Sequence, residues 1–271
     1  MGERVVPVVS YPRNASGWTE DLTAFHENIA YNGTHYIDVA SRNHTLDTIA
    51  RWMPSPTPLI MDIGCSSGYL VHDLRRRFPE AMVVGADYIR TPLERLSAKI
   101  PDIPLLQFDL VECPLPDACI DVAVLLNVLE HIQDDAAAAR QVFRVLKPGG
   151  IAVVELPYGP ELYDVYDRLL MHFRRYTGGQ VETLLRGAGF EILESSHLGF
   201  FLYPFFRAVK HRNQRLGSTA APELQRRMVA DNVARSGGNL LPSALLRLEA
   251  LLRRRLSFPR GIRCLVTAIK R

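Results

Sequence analysis

The sequence predicts an α/β protein whose strands form a parallel, doubly wound sheet. Short apolar runs alternate along the chain with segments whose apolar residues recur at helical spacing, and short connections join them. Several of the apolar runs end directly in an acidic or amide residue, which places polar groups at one edge of the sheet. The 271 residues are 47% hydrophobic and 23% charged, the composition of an ordinary globular protein.

Seven strands are predicted, and the first runs from Leu59 to about Asp62 after the break at Pro58. The other six are Ala81–Ala86, Pro104–Phe108, Asp121–Leu126, Ile151–Leu156, Phe190–Ser195 and Arg263–Ile269. Three helix starts carry capping signals. They are Thr45 as an N-cap, Thr91-Pro92-Leu93-Glu94 as a capping box with proline in the first turn, and Thr177 with Gln180 as a second capping box.

The segment Leu59–Leu70 predicts a strand, a tight turn and the start of a helix. Gly64 and Gly68 lie in the turn, where missing side chains would let a ligand approach the backbone. The N–H groups of the turn and the helix N-terminus are expected to form an electropositive rim. This segment therefore predicts a site for a nucleotide-like ligand.

Two common nucleotide ligands are disfavoured by the same segment. A dinucleotide fingerprint that started at Gly64 would need glycine where the chain has Ser66 and Tyr69. A phosphate-binding loop would need Gly-Lys-Ser or Gly-Lys-Thr, and neither triplet occurs in the sequence.

Other sequence features indicate the redox state of the cysteines and the localisation of the protein. The four cysteines have no CxxC or zinc-type spacing, so we expect reduced, packed thiols. No secretory pattern and no apolar run of about eighteen residues is present, which predicts a cytoplasmic protein.

Polar residues stand at the ends of the next three predicted strands: Asp87, Asp109 and Asn127. In an open parallel sheet, ligands bind outside the carboxyl ends of the strands. The carboxylate of Asp87 can accept hydrogen bonds from both hydroxyls of a ribose. Asp109 can accept from an adenine amine, with the backbone N–H of Leu110 donating to the ring.

These segments resemble, in order and spacing, the motifs of the class I S-adenosylmethionine-dependent methyltransferases. The resemblance covers residues 55–196 and resumes at 263–269, with Ser66 in place of a more usual glycine. It implies a Rossmann-like sheet of seven strands with an antiparallel last strand, and S-adenosylmethionine as methyl donor. The matching segments are Asp62–Gly68, Gly85–Asp87, Gln107–Asp109, Asn127–His131, Leu146–Gly150 and Gly187–Phe190.

The resemblance also implies roles for individual residues, with Asp87 on the ribose, Asp109 at the adenine and Asn127 near the methionine end of the cofactor. Arg42, in a helical segment ahead of the sheet, is a candidate for the cofactor's carboxylate. The predicted cofactor-binding residues are Asp62, Gly64, Cys65, Ser66, Gly68, Tyr69, Asp87, Tyr88, Asp109, Leu110, Asn127 and Arg42.

Methyl transfer from a sulfonium needs in-line placement above all, and needs a base only where the acceptor keeps its proton near neutral pH. The predicted catalytic residues are His131, after the fourth strand, and His172 and Tyr176, after the fifth. Purely structural roles for these side chains remain as alternatives. The sequence favours a site without a metal ion, although Glu130, His131 and His172 are of the types that bind divalent metals.

Three regions are predicted. Residues 1–54 form an N-terminal arm and helical lid, with Phe25, His26 and Tyr31 among the lid residues; 55–196 and 261–271 form the cofactor-binding core; and 197–260 form a helical insertion between strands six and seven. From His197 to Arg271 the chain has fifteen Lys and Arg against three Asp and Glu. This basic region is expected either to cap the core or to contact an anionic acceptor or a membrane surface.

The sequence therefore predicts a methyltransferase that acts on a small-molecule, glycan-like or lipid-linked acceptor by in-line displacement. Nucleic acid is the less favoured partner, because the basic residues belong to no recognised RNA-binding module. Two alternatives stay open: a methyltransferase-like scaffold that binds the cofactor without methyl transfer, as a cyclase or regulatory partner would, and an RNA methyltransferase. The acceptor atom and the oligomeric state are left open.

Overall fold

The computed structural model describes residues 8–11, 33–217, 240–253 and 255–271. Their strands form one sheet in the order β1-β4-β3-β2-β5-β6-β8-β7. The strands are β1 (Val9–Ser10), β2 (Leu59–Ile63), β3 (Met82–Asp87), β4 (Leu105–Gln107), β5 (Ile120–Leu126), β6 (Leu146–Pro157), β7 (Glu191–Leu198) and β8 (Arg263–Ile269).

The described helices lie between these strands. They are α1 (Tyr36–Trp52), α2 (Tyr69–Arg77), α3 (Arg90–Lys99), α4 (Asp135–Val145), α5 (Val165–Leu169), α6 (Gly178–Gly187), α7 (Tyr203–Gly217) and α8 (Leu240–Arg253). None of the helices in the described ranges has the length and apolar character needed to cross a membrane.

The predicted α/β, doubly wound fold is confirmed. All ladders from β1 to β6 are parallel, whereas β8 runs antiparallel to both β6 and β7. The sheet has eight strands rather than the predicted seven, because two residues of the N-terminal segment, Val9 and Ser10, pair with the edge of β4. So short a pairing leaves no period-2 pattern in the sequence, which is why it was not predicted.

The strands are apolar on both faces, so helices can cover the sheet on each side. Ile60 and Val122 pack in one hydrophobic cluster, while their neighbours Met61 and Ala123 pack in another. Ile63 of β2 is paired with Ala86 of β3 and with Leu125 of β5. This register brings the carboxyl ends of the three central strands to the same edge of the sheet.

Two of the three predicted helix caps are wrong, although a helix is present at each position. Helix α1 begins at Tyr36, nine residues before Thr45, which is buried inside the helix. Helix α3 begins at Arg90 with no side-chain cap, and Glu94 accepts a hydrogen bond from Arg90 at 2.6 Å instead of forming a capping box. An ion pair one helical turn apart is the competing interaction there.

The capping box of α6 is confirmed. The Thr177 hydroxyl accepts a hydrogen bond from the Gln180 N–H at 3.2 Å, and the Gln180 side chain accepts one from the Thr177 N–H at 2.8 Å.

The described part of the insertion packs against the core and the N-terminal region. Helix α8 contacts α1, and α7 contacts α5. Buried Glu249 of α8 accepts hydrogen bonds from the Gly199 N–H and from Arg253, which also bonds to His44 of α1. The predicted lid residues Phe25, His26 and Tyr31, and residues 218–239 of the insertion, lie outside the described residues.

Candidate functional site

The turn after β2 is held against the neighbouring strand by its own backbone. Gly64 has a φ of +80°, and a Cβ there would lie 2.6 Å from the side chain of Val128. The N–H groups of Gly64 and Cys65 both donate to the carbonyl of Ala86, at 2.8 and 2.9 Å. These two N–H groups therefore fix the turn, and they are not part of the anion-binding rim that the sequence suggested.

Gly68 ends the turn in a left-handed conformation, with a φ of +74°, and is the N-cap of α2. It does not line the cavity described below. A Cβ at this position would lie 2.4 Å from Leu96 of α3. Its role in the structure is to let α2 and α3 pack closely.

We expect Gly68→Ala to lower the free energy of unfolding by at least about 1 kcal/mol, because alanine at this φ is strained and overlaps Leu96. Urea unfolding of the variant measures the change. Gly187→Ala is the matched control, since a Cβ at Gly187 has no atom within 4 Å and lies at the end of a helix. Equal stability of the Gly68→Ala variant and wild type would contradict the packing argument.

Asp87 lies at the end of β3 and connects two turns. One carboxylate oxygen accepts the Ser66 N–H at 2.8 Å, and the other accepts the Ile89 N–H at 2.9 Å. Each oxygen has a second lone pair that can accept from a ligand hydroxyl. The carboxylate is therefore fixed by backbone before any ligand binds.

The next two strands also present fixed polar groups. Asp109 caps a short 3-10 helix, Leu110–Glu112, by accepting the Val111 N–H at 2.9 Å. Asn127 has a φ of +55°, and its N–H donates to the carbonyl of Glu155 on β6 at 2.9 Å. This backbone conformation turns the chain at the end of β5.

Asp62 is buried on β2, where it lines a large cavity at the carboxyl ends of the strands. Burial, with a smaller contribution from the charge of Asp87, raises the pKa of Asp62 to about 7. Near neutral pH Asp62 is therefore protonated in part of the molecules, so it can donate as well as accept a hydrogen bond.

A cavity of about 1270 Å³ lies over the carboxyl ends of the strands. One part is lined by the polar groups of β2 to β5 described above, and another by apolar side chains of the insertion. The apolar lining includes Leu202, Phe205, Phe206, Val209, Leu241 and Leu245. The cavity is larger than the usual range of small-molecule sites, roughly 300–1,000 Å³, which is room for two ligands.

His172 lines the cavity and belongs to a buried network of charged groups. Its Nδ1 lies 2.9 Å from the carboxylate of Asp167, which can only accept, so Nδ1 carries the proton. Burial lowers the pKa of His172, although the hydrogen bond to Asp167 opposes the shift. The ring is therefore neutral at neutral pH, with the lone pair on Nε2.

Asp167 holds two cations besides this histidine. Arg175 donates to it at 2.9 Å, and Lys210, which reaches down from α7, donates to Asp167 and Asp164 at 2.8 Å each. Burial raises the pKa of Asp167, but the hydrogen bond from His172 and the charges of Lys210 and Arg175 outweigh it, so the pKa lies well below its usual range. The carboxylate therefore stays ionised.

Glu130 and His131 stand on a 3-10 turn, Leu129–His131, that follows β5. Both residues line the cavity, and the rings of His131 and His172 meet edge to face with centroids 4.6 Å apart. Burial is the main cause that raises the pKa of Glu130 to about 8. Among the described residues, neither of its carboxylate oxygens has a hydrogen-bond partner.

The sequence around this site matches that of known proteins. Residues 61–154 match the family model of a methyltransferase domain. A protein of Mycolicibacterium smegmatis named "Probable S-adenosylmethionine-dependent methyltransferase" is 35% identical over 147 residues, which cover 52% of this chain and 54% of that protein. Residues 61–154 are thus a methyltransferase domain, and the chain around them is similar to S-adenosylmethionine-dependent methyltransferases. The predicted family, and with it the predicted cofactor S-adenosylmethionine, is confirmed.

Solved structures show the same fold over more of the chain than the sequence relatives do. The [4+2]-cyclase SpnF is similar with a TM-score of 0.61, 19% identity and coverage of 98% of both chains. Phosphoethanolamine N-methyltransferase 2 of Haemonchus contortus, solved with S-adenosylmethionine, is similar with a TM-score of 0.57, 16% identity and coverage of 92% of this chain and 60% of that one. The chain spans about half the length of the curated relatives it matches.

The methyltransferase core brings most of the predicted site residues to one cavity. All of the predicted cofactor-binding residues except Gly68 line it, as do His131 and His172. Arg42 lies on its wall, where it donates to Asp73 at 2.8 Å and to the Gly33 carbonyl at 2.9 Å. Its contact with the cofactor's carboxylate stays a prediction.

Tyr176 is not brought to the cavity. It is buried, and its hydroxyl lies 2.8 Å from the carboxylate of Asp135 at the start of α4 and 3.3 Å from the Leu129 carbonyl. Burial and the charge of Asp135 raise its pKa far above the usual value. This geometry favours the structural alternative for Tyr176.

Sequence reasoning missed Asp164 and Asp167, and it counted Lys210 among the basic residues expected to contact an anionic acceptor, whereas Lys210 is buried against these two aspartates. The two aspartates stand at the start of α5, where a capping box accounts for them equally well, since the Asp164 side chain accepts from the N–H groups of Tyr166 and Asp167. Lys210 is one of many cations in the insertion. Nothing in the sequence distinguishes it from Arg207, Arg212 and Arg215 of the same helix, which are exposed.

Proposed function

We propose that this protein transfers a methyl group from S-adenosylmethionine to an acceptor bound in the same cavity, by in-line displacement. The observation that supports it is that one cavity is lined both by the family's cofactor motifs and by the apolar side chains of the insertion. Holding donor and acceptor in line can contribute roughly 7–11 kcal/mol to such a reaction.

The lining favours a small molecule with an apolar portion, and a lipid-linked or glycan-bearing compound fits the same description where its polar group lies near His172. Leucine and phenylalanine side chains of the insertion would bury the apolar part. Peripheral membrane contact through the basic insertion remains a proposal that follows from its charge alone.

Two measurements test the function. Calorimetric titration with S-adenosylmethionine tests the cofactor site, and release of S-adenosylhomocysteine in the presence of candidate acceptors tests transfer. Mass spectrometry of compounds that copurify with the protein supplies the candidates. Cofactor binding without transfer to any copurified compound would support the scaffold alternative instead.

His172 is the residue that we expect to accept a proton from the acceptor, because Asp167 fixes its tautomer and leaves Nε2 as the acceptor. His172→Ala should lower turnover at least tenfold and change S-adenosylmethionine affinity less than threefold, on the scale of a lost general base. Turnover with S-adenosylhomocysteine release and calorimetry measure the two effects.

His72→Ala is the matched control, since the His72 side chain is 67% exposed and lies outside the cavity. Normal turnover of the His172→Ala variant would assign this histidine to structure.

A further inference from the structure

Neither cofactor binding nor the proposed base accounts for Glu130, a buried acidic residue in the wall of the cavity. The carboxyl group is completely buried, and among the described residues neither oxygen has a hydrogen-bond partner. A buried carboxyl group without partners is rare, because it gives up its hydration without compensation. Such a group in a cavity wall is a candidate ligand for an ion that the protein binds.

The neighbouring arginines do not neutralise Glu130, because both are engaged by other carboxylates. Arg263 donates to Glu155 at 2.7 Å and to Asp38 at 2.5 Å. Arg175 donates to Asp167 and to the Tyr158 carbonyl. The centre around Glu130 thus has more carboxylates than cationic side chains, which favours a further positive charge.

Two imidazoles complete a possible ligand set. One ligand atom from each of Glu130, His131 and His172 can be chosen so that the three atoms lie within 4.8 Å of one another. Ligands bound roughly 2.1 Å from one metal ion lie at most about 4.2 Å apart, so small side-chain rotations would bring the three together. Two imidazoles and one carboxylate suit zinc and neighbouring divalent transition metals.

The surrounding residues fit the same assignment. Nδ1 of His172 is hydrogen-bonded to Asp167, which leaves Nε2 as the nitrogen that binds a metal. When a metal occupies Nε2, His172 cannot also accept a proton, so the base role proposed above applies only to the metal-free protein. A carboxylate that orients a ligating histidine in this way is the usual support of a protein metal site. Lys210 and Arg175 hold this carboxylate in turn.

We propose that Glu130, His131 and His172 bind a divalent transition metal ion at the wall of the cavity. Three protein ligands leave coordination positions open toward the cavity, where an oxygen of the acceptor can bind. The class of acceptor is then one with a hydroxyl or carbonyl oxygen next to its apolar part. This last statement rests on the proposed function, whereas the metal site does not.

Titration of the metal-free, full-length protein with Co²⁺ tests the site without any acceptor. We expect one equivalent of Co²⁺ to give a visible absorption band, and Zn²⁺ to displace it. Glu130→Gln should weaken Co²⁺ binding at least tenfold, and His131→Ala should do the same. Wild-type affinity in Glu130→Gln, or no stoichiometric binding to the wild type, would overturn the proposal.

Glu112→Gln is the matched control, because Glu112 lines the same cavity outside the ligand set. Glu130→Gln keeps the size of the side chain, and an unchanged melting temperature of the metal-free variant separates a lost ligand from a lost fold. Failure of the proposed methyl transfer leaves the Co²⁺ titration interpretable, since its readout is spectroscopic.

Discussion

Asp87→Ala is expected to weaken S-adenosylmethionine binding by at least tenfold. The carboxylate is fixed by the N–H groups of Ser66 and Ile89, so it is already in place for the ribose hydroxyls that the family motif assigns to it. A hydrogen bond to a charged group contributes about 1.5–3 kcal/mol, and a factor of ten corresponds to about 1.4 kcal/mol. Isothermal titration calorimetry measures the change.

Asp102→Ala is the control for this variant. Asp102 also forms hydrogen bonds through both carboxylate oxygens, to Arg75, but its side chain is 61% exposed and lies outside the cavity. Circular dichroism shows whether the variant stays folded after the loss of the hydrogen bonds from the Ser66 and Ile89 N–H groups. An Asp87→Ala protein that is folded and binds S-adenosylmethionine with wild-type affinity would refute the ribose contact.

Asp167→Ala is expected to lower the free energy of unfolding by about 3–5 kcal/mol. The variant leaves Lys210 and Arg175 buried without their carboxylate, and removal of one partner from a buried ion pair commonly destabilises a protein by this amount. Denaturant unfolding at neutral pH measures the effect.

Asp117→Ala removes a carboxylate from a surface ion pair and should change stability by less than about 1 kcal/mol. The Asp117 side chain is 76% exposed. A loss of the same small size in Asp167→Ala would show that the remaining carboxylate, Asp164, is sufficient for both buried cations.

The pattern of strands could be predicted because each central strand is buried on both faces and ends at a polar residue. Glycines with positive φ, such as Gly64, and the capping box of Thr177 also leave local signals in the sequence. The start of α1 could not be predicted, because Thr45 is a good N-cap in sequence and nothing local shows that the helix has already begun.

Some residues of the candidate site could likewise be predicted from the sequence, and others could not. Asp87, Asp109 and Asn127 could be placed because strand order alone carries them to one edge of the sheet. The hydrogen bonds of Asp167 with His172 and Lys210 could not be predicted, because they join residues up to 43 positions apart and depend on a helix of the insertion. Tyr176 shows the converse, since a residue close to His172 in sequence faces away from the cavity.

The position of β8 between β6 and β7 determines when β7 can join the sheet during synthesis. Residues 263–269 follow the whole insertion in the chain, yet they are the only described segment that joins β7 to the rest of the sheet. During synthesis β7 therefore waits, with both edges unpaired, until the insertion and β8 have left the ribosome. Slow translation through residues 199–262 would prolong the time for which this strand has no partner.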